Sequence, residues 1–290
     1  MDPQSCAAAF GESIGRVCGR AAALGWNPTA GAGWLASLAG VVAAFIFAAI
    51  VMVLAPQGGH RPAPDGGIDV GDSLPVLIGA FLSLLVASML LVLVSSQFHP
   101  LRVGAATSVA TAVFAAGVVQ TFVAIAWLFL VSTRTASAFG SVKLVIRFLM
   151  FATGLLVHVT VWKSSRITTG HEWGHARMAV SVALLAGPWL VSRAVLRSRS
   201  MVERYNGRFQ AFTTRCSVGF LALAVVVMVW VLERDAVTPA GAFPGWLAAA
   251  ILLGVGLLVA LYDMNLPPLH LSAALEGAAG ESPGTARAAA

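Results

Sequence analysis

Charged side chains are what this sequence most obviously lacks. Only 10% of its 290 residues are Asp, Glu, Lys or Arg, whereas 58% are hydrophobic. A soluble domain has about 25% charged residues, because charge covers the surface that faces water. The apolar residues are also grouped into runs long enough to cross about 30 Å of hydrocarbon. The composition therefore excludes a soluble globule and predicts an all-α, polytopic bundle of transmembrane helices.

Several other absences narrow the functional classes. The sequence contains no P-loop, no dinucleotide-binding glycine motif and no nucleophile elbow. Its three cysteines form no CxxC pair, so they indicate neither a disulfide framework nor a zinc ribbon. The first apolar run begins near Trp34, which is too late for a cleavable signal peptide. The net charge of +6 fits loops that face anionic lipid headgroups, and nothing indicates nucleic acid as a partner.

Lysine is scarce as well, and arginine supplies nearly all of the positive charge. This bias, together with abundant Ala, Gly and Pro, is typical of GC-rich coding. We therefore expect a multi-pass protein of the plasma membrane if the chain is bacterial, or of a host-cell membrane if it is viral.

The apolar runs predict six or seven membrane segments, which occupy residues 34–55, 74–96, 107–132, 141–162, 178–192, 216–232 and 244–262. We expect three regions along the chain. Residues 1–33 form a cytosolic or interfacial segment, residues 34–262 form the transmembrane domain, and residues 263–290 form a tail whose end is disordered.

The fifth segment, residues 178–192, is short for a crossing and contains Gly187-Pro188. If it does not cross, and if the N-terminus is cytosolic, most Lys and Arg fall in the cytosol, as the positive-inside rule requires. The acidic loop 56–73 then lies outside and residues 193–215 lie in the cytosol. We favour this arrangement. The alternative, in which all seven segments cross and the N-terminus is outside, divides the positive charge more evenly.

The sharpest motif is His171-Glu172-Trp173-Gly174-His175. On a helix, two His four residues apart share one face and can bind Zn²⁺, while the Glu serves as general base for a metal-bound water. This H-E-x-x-H pattern resembles the zinc motif of metallopeptidases. Because an apolar segment follows it, the closest context is that of the intramembrane site-two proteases. The resemblance implies Zn as cofactor, His171 and His175 as ligands and Glu172 as the catalytic residue.

A catalytic zinc needs a third protein ligand, and the sequence leaves that ligand open. Glu203, Asp263 and His270 are candidates, although the stretch around Asp263 does not match the order of the site-two protease motif. The alternative interpretation is structural. In that interpretation residues 171–175 are a loop that enters a helix, no cofactor is needed, and Glu172 favours the helix N-terminus.

Polar residues inside the apolar segments form a second candidate site. Arg147 lies more than one turn inside the fourth segment, and His158, eleven residues later, shares its helix face. Gln120 lies near the centre of the third segment, in a stripe of small residues that predicts close helix packing with an interhelical hydrogen bond. Gln120, Arg147 and His158 therefore indicate either a polar path for a solute, with Arg147 facing the protein interior, or structural packing.

A basic amphipathic helix over residues 193–215, broken near Asn206-Gly207, is the main surface feature. Five arginines share one helix face, and we expect them to contact anionic lipid headgroups or an acidic cytosolic protein partner. They are Arg193, Arg197, Arg204, Arg208 and Arg215.

These patterns together predict a non-catalytic permease, channel or membrane-anchoring component. A zinc-dependent intramembrane enzyme is one alternative, and it depends on the H-E-x-x-H motif. A regulatory or scaffold protein that acts through its basic cytosolic face is the other.

Overall fold

The computed structural model describes residues 3–54, 74–97, 99–133, 136–170, 173–198, 207–233 and 243–266, and every regular element within these ranges is an α-helix. The helices are α1 (Pro3–Phe10), α2 (Glu12–Ala23), α3 (Pro28–Leu54), α4 (Leu74–Ser95), α5 (Pro100–Thr133), α6 (Ala136–Thr169), α7 (His175–Ser198), α8 (Gly207–Glu233) and α9 (Gly245–Met264). The predicted all-α class is confirmed. The predicted tail lies outside the described residues from residue 267 onward.

Six helices in the described part of the chain are long and apolar enough to cross a membrane: α3, α4, α5, α6, α8 and α9. A helix is suited to hydrocarbon because it satisfies its own backbone N–H and C=O groups. Large apolar side chains cover the outer surfaces of these helices, among them Phe45, Met89, Phe148 and Val226. The chain is therefore a multi-pass membrane protein.

Successive helices run in opposite directions through the bundle. On α4, Ser88 Oγ donates to the carbonyl of Ala36 near the start of α3. Farther along, Leu84 of α4 packs on Gly117 of α5, and Gly104 near the start of α5 packs on Thr168 at the end of α6. These contacts place the start of α5 at one end of the bundle and its last turns at the other. We call the first the Arg20 end and the second the Asp263 end, after residues that mark them.

Helix α7 lies alongside α6 and α9 over the same depth. Its middle packs where Leu185 meets Gly154 of α6 and Gly256 of α9. One end of α7, at Arg193, contacts Asp263 near the end of α9. At 1.5 Å per residue, the helix is about 36 Å long. A lipid bilayer that surrounds α6 and α9 would therefore surround α7 too, although α7 is not among the six apolar helices.

The path of α7 contradicts the arrangement that we favoured from sequence, in which the fifth segment does not cross. Since α7 runs from the Arg20 end to the Asp263 end, the end of α3 and the start of α4 lie at the same end of the bundle as the junction of α7 and α8. The arrangement that places residues 56–73 and 193–215 on opposite sides does not fit these helix ends, although residues 56–73 and 199–206 themselves lie outside the described residues. The apolar run looked short because Arg177 and Arg193 were taken as its limits, whereas both lie within the helix.

Pro188 lies inside α7, one turn after the contact of this helix with α9. A proline has no N–H, so the carbonyl four residues earlier, at Leu184, loses its helical partner. This carbonyl points toward Gly256, where a Cβ would lie 2.7 Å from Leu184 O and 2.5 Å from Leu185 O. Only glycine lets the two backbones approach this closely.

Small residues also join α4 to α5. A Cβ on Gly117 would lie 2.7 Å from Leu84 Cγ and 3.1 Å from the Leu84 backbone nitrogen. One turn away, Ser83 Oγ donates to Gln120 Oε1 over 3.1 Å. The predicted packing stripe with an interhelical hydrogen bond at its middle is confirmed.

The N-terminal helices cover the Arg20 end. Cys6 of α1 and Cys18 of α2 are joined by a disulfide, which the cysteine spacing did not indicate because no CxxC pair is involved. Arg20 donates through Nε to Ile167 O over 2.8 Å and through Nη2 to Thr168 O over 3.3 Å. These carbonyls end α6 and have no partner within their own helix. Arg20 therefore fastens α2 to the membrane-spanning bundle.

Replacement of Gly256 by alanine should destabilise the protein. The new Cβ would meet two backbone carbonyls of α7, which cannot turn away as a flexible side chain can. Overpacking of this kind costs about 1–3 kcal/mol. Thermal unfolding in detergent would measure it, with Gly219→Ala as the matched control, since a Cβ there meets nothing within 4 Å. Equal melting temperatures for both variants would contradict the close α7–α9 contact.

The path of α7 makes a prediction about sidedness. Disulfides persist outside the cytosol, so we expect the Arg20 end to face outward and the arginine-rich Asp263 end to face the cytosol. In a Cys216→Ala background, an impermeant thiol reagent should label Gln97→Cys in intact cells. It should label Asp69→Cys and Ser200→Cys only after permeabilisation. Labelling of Asp69→Cys and Ser200→Cys from opposite sides would refute the path of α7.

Candidate functional site: a polar groove between α6, α7 and α9

One face of α6 carries small and polar residues along its whole length. Arg147, Gly154, His158, Ser165 and Thr169 recur at helical spacing and therefore share this face. Their contacts place the face toward α7 and α9. Arg147 binds a carboxylate of α9, Gly154 packs on α7, and Ser165 lines a cavity bounded by α7 and α9. Because α6 and α7 meet directly at few points, a groove runs between them.

The strongest electrostatic feature of the groove is a carboxylate shared by two arginines. Arg147 of α6 donates through Nε to Asp263 Oδ1 over 2.7 Å, and Arg193 of α7 donates through Nε to Oδ2 over 3.1 Å. The Asp263 side chain is 1% exposed, whereas those of Arg147 and Arg193 are 27% and 33% exposed. Asp263 lies in the last turn of α9, where the helix dipole disfavours a negative charge. The two guanidiniums offset both this penalty and the loss of water.

Two neighbours complete the cluster. Lys143, one turn before Arg147 on α6, is buried and interacts electrostatically with Arg147, Arg193 and Asp263. The guanidinium of Arg193 lies over the Trp189 ring, 5.0 Å from its centroid, which fixes its orientation. With three cationic side chains around one carboxylate, this end of the groove keeps an excess of positive charge.

Two cavities in the groove are separated by a contact between Gly154 and Leu185. A cavity of about 550 Å³ near the Arg20 end is lined in part by Ser165, Arg177 and Ser181. A smaller one, of about 70 Å³, touches Arg147 and Asp263. At the constriction, a Cβ on Gly154 would lie 3.4 Å from Leu185 Cδ1, so the leucine side chain fills the space that glycine leaves.

His158 lies between the two cavities in sequence, one turn from Gly154 toward the Arg20 end. Its ring meets the edge of Trp173, with centroids 6.3 Å apart, and Trp173 Nε1 donates to Ser165 Oγ over 3.0 Å. His158 Nδ1 is shielded from solvent and has no hydrogen-bond partner among the described residues. Buried polar atoms without a partner are uncommon in proteins, which makes His158 a candidate functional residue.

The last turn of α9 ties the groove to the rest of the bundle. Tyr262 Oη and Ser217 Oγ of α8 share a hydrogen bond of 2.6 Å. Asn265 Nδ2 donates to Thr213 Oγ1 of α8 over 2.6 Å, and Trp127 Nε1 of α5 donates to Asn265 O over 3.1 Å. Together with Asp263, these residues join α9 to four other helices within one turn.

Of the three polar residues that sequence grouped into one path, two lie on the face of α6 that borders the groove. Arg147 faces the protein interior as predicted, and His158 lies on the same face of α6. Gln120 is fully buried between α4 and α5, where its partner is Ser83. It belongs to a different helix interface, so we assign it to packing.

The H-E-x-x-H motif does not lie on one helix. Gly170 ends α6 with a φ of +72°, Trp173 and Gly174 are not helical, and α7 begins at His175. His171 and Glu172 lie outside the described residues. Asp263 cannot be the third ligand, because the part of α7 that contacts it is about 27 Å along the helix from His175. Within the described ranges, no three His, Cys, Asp or Glu side chains are grouped to hold a metal.

The predicted break near Asn206-Gly207 is confirmed, because α8 begins at Gly207, but the basic segment 193–215 is not an interfacial helix of its own. Residues up to Ser198 belong to α7 and those from Gly207 belong to α8, so the predicted arginine face is divided between two helices. Arg193 is turned inward to Asp263, whereas Arg215 is exposed. Arg204 and the side chains of Arg197 and Arg208 lie outside the part that the structure describes.

Sequence reasoning missed the central role of Asp263, which it considered only as a metal ligand. The sequence does contain a signal for this role. Asp263 follows an uninterrupted apolar run, and Arg147 and Arg193 lie in or beside two other apolar segments. Ionisable residues within membrane segments pair with one another. Counting these three residues as possible partners would have joined α6, α7 and α9 on the basis of sequence alone.

Asp263→Asn should destabilise the bundle strongly. It removes the negative charge that both arginines face, and breaking a buried pair in this way costs on the order of 3 kcal/mol. Glu233→Gln makes the same chemical change at an exposed position and should have little effect. Thermal unfolding in detergent compares the two variants. A melting temperature for Asp263→Asn equal to that of Glu233→Gln would show that the pairing contributes nothing.

Comparison of the chain with protein-family models, with curated proteins and with solved structures finds no match. The role of the groove is therefore argued from its own residues.

Proposed function

We propose that this multi-pass membrane protein is a non-catalytic permease or channel, and that small polar solutes pass along the groove between α6, α7 and α9. The polar face of α6 is the observation that carries the proposal. A membrane helix that only packs needs small residues at its contacts, but it does not need Arg147, His158 and Ser165 on the same face.

The shape of the groove supports this role. Its two cavities lie toward opposite ends of the bundle, and the side chain of Leu185 against Gly154 separates them. An apolar side chain that blocks an otherwise polar path is a common form of gate, since water and solutes pass only when it moves. The few direct contacts between α6 and α7 leave room for such a movement.

The charges along the groove favour anions over cations. Arg177 lines the wider cavity, and the cluster of Lys143, Arg147 and Arg193 around Asp263 lies at the other end. Positive rings at the ends of a path attract anions and raise the barrier to cations.

The two alternatives have less support. A zinc peptidase would need the motif at His171–His175 to be helical, and Trp173 and Gly174 within it are not. A scaffold acting through the arginine face, with anionic lipid or an acidic protein as partner, remains a proposal for Arg215, which is exposed. Arg193, in contrast, is already engaged with Asp263.

Substitutions at the constriction should change flux in opposite directions. In proteoliposomes loaded with chloride, phosphate or potassium, Leu185→Ala should raise anion flux several-fold, because it removes the side chain between the cavities. Gly154→Val should reduce flux below that of the wild type, because its added methyl groups meet Leu185.

Leu190→Ala is the matched control, since it makes the same change on the same helix at a side chain that is 57% exposed on the outer surface. Equal flux through Leu185→Ala and Leu190→Ala, or no flux of any of the three solutes in all variants, would remove the groove as a permeation path.

A further inference from the structure

Arg147 and Arg193 use only part of their hydrogen-bonding capacity. Each guanidinium donates to Asp263 through Nε alone, and within the described ranges its two Nη nitrogens donate to no other residue. A guanidinium carries five N–H donors in a rigid fork, and four of these hydrogens are on the Nη atoms. Two forks that converge on one carboxylate thus present unused donors on their outer sides.

The outer sides of both arginines are accessible. Asp263 is buried, but about a third of the Arg193 side chain and a quarter of the Arg147 side chain remain exposed, and Arg147 lines the small cavity. Stacking on Trp189 holds the Arg193 guanidinium in place. Donors that are already oriented lose little conformational entropy when a ligand binds.

The charge of the cluster selects the ligand. Asp263 neutralises one of three surrounding positive charges, so an anion can bind the guanidiniums without displacing the carboxylate. The planar guanidinium can donate two parallel N–H hydrogen bonds to the oxygens of a phosphate group, and one phosphate can accept hydrogen bonds from two guanidiniums at once.

We infer that Arg147 and Arg193 form a phosphate-binding site at the Asp263 end of the groove, with Asp263 orienting both guanidiniums. Two sources can supply the phosphate group. One is inorganic phosphate that enters the groove, and the other is the headgroup of an anionic phospholipid. Phe151, which is 56% exposed, lines the small cavity and would contact the acyl chains of such a lipid.

Binding can be tested separately from transport. The purified full-length chain in a neutral detergent is titrated with inorganic phosphate, and the rise in melting temperature gives a dissociation constant. In parallel, native mass spectrometry measures the retention of phosphatidylglycerol against phosphatidylcholine. A response to inorganic phosphate identifies a free oxyanion site, and retention of phosphatidylglycerol alone identifies a lipid headgroup site. Either result supports the inference.

Arg147→Gln and Arg193→Gln should each weaken binding about tenfold or more, because each removes charge-assisted hydrogen bonds. Arg166→Gln is the matched control. Arg166 lies on the same helix at the opposite end, where its guanidinium lies 5.7 Å from the Trp162 ring centroid. It should bind as the wild type does.

If a glutamine variant does not fold, Arg193→Lys replaces it, since lysine keeps the positive charge beside Asp263 but has no fork. Its binding should also fall about tenfold. Absence of both ligands from the wild-type chain, or binding that is unchanged in the Arg147 and Arg193 variants, would overturn the site. Because flux is measured separately, phosphate binding without transport would leave this inference intact and reject only the permeation path.

Discussion

The buried carboxylate of Asp263 is the interaction on which the arrangement of α6, α7 and α9 depends. A carboxylate without a partner would be very costly in hydrocarbon, and so would the arginines of α6 and α7. Each of the three ions is tolerable only beside the others. Since the three charges come from three helices, the pairing ties the depth of α6 and α7 in the bundle to that of α9.

This dependence explains why α7 was the element hardest to predict. Hydropathy treats each residue as if it faced lipid, so Arg177, Ser181 and Arg193 count against insertion of the segment. In the folded protein, Arg193 faces Asp263 and Ser181 faces a cavity. The other six helices are long and apolar enough to be recognised from hydropathy, even though α6 and α9 carry Arg147 and Asp263. Sequence therefore predicted them well, and the small-residue stripe around Gln120 predicted how α4 meets α5.

What sequence could not supply was the relation between distant residues. The H-E-x-x-H spacing has meaning only on a continuous helix, and Gly170, in a left-handed conformation, ends α6 just before it. The five arginines of residues 193–215 share a face only if one helix carries them, whereas the chain divides them between α7 and α8. The bond between Cys6 and Cys18 likewise depends on how α1 folds back on α2. In each case the residues are present at the expected spacing, but the chain does not have the local structure that the interpretation of that spacing requires.

The packing of the two halves of the bundle differs in a way that bears on function. Helices α3, α4 and α5 approach closely through small residues such as Ala39, Ala80 and Gly117, which leave little room for movement. Helix α7 is joined closely to α9 at Gly256, but it meets α6 mainly through Leu185 and the ions. A displacement of α7 with α9 relative to α6 would therefore break few apolar contacts, while the long Arg147 side chain could follow Asp263 over a short distance. The polar face of α6 thus borders an interface with few direct contacts, which is where the proposed path for solutes lies.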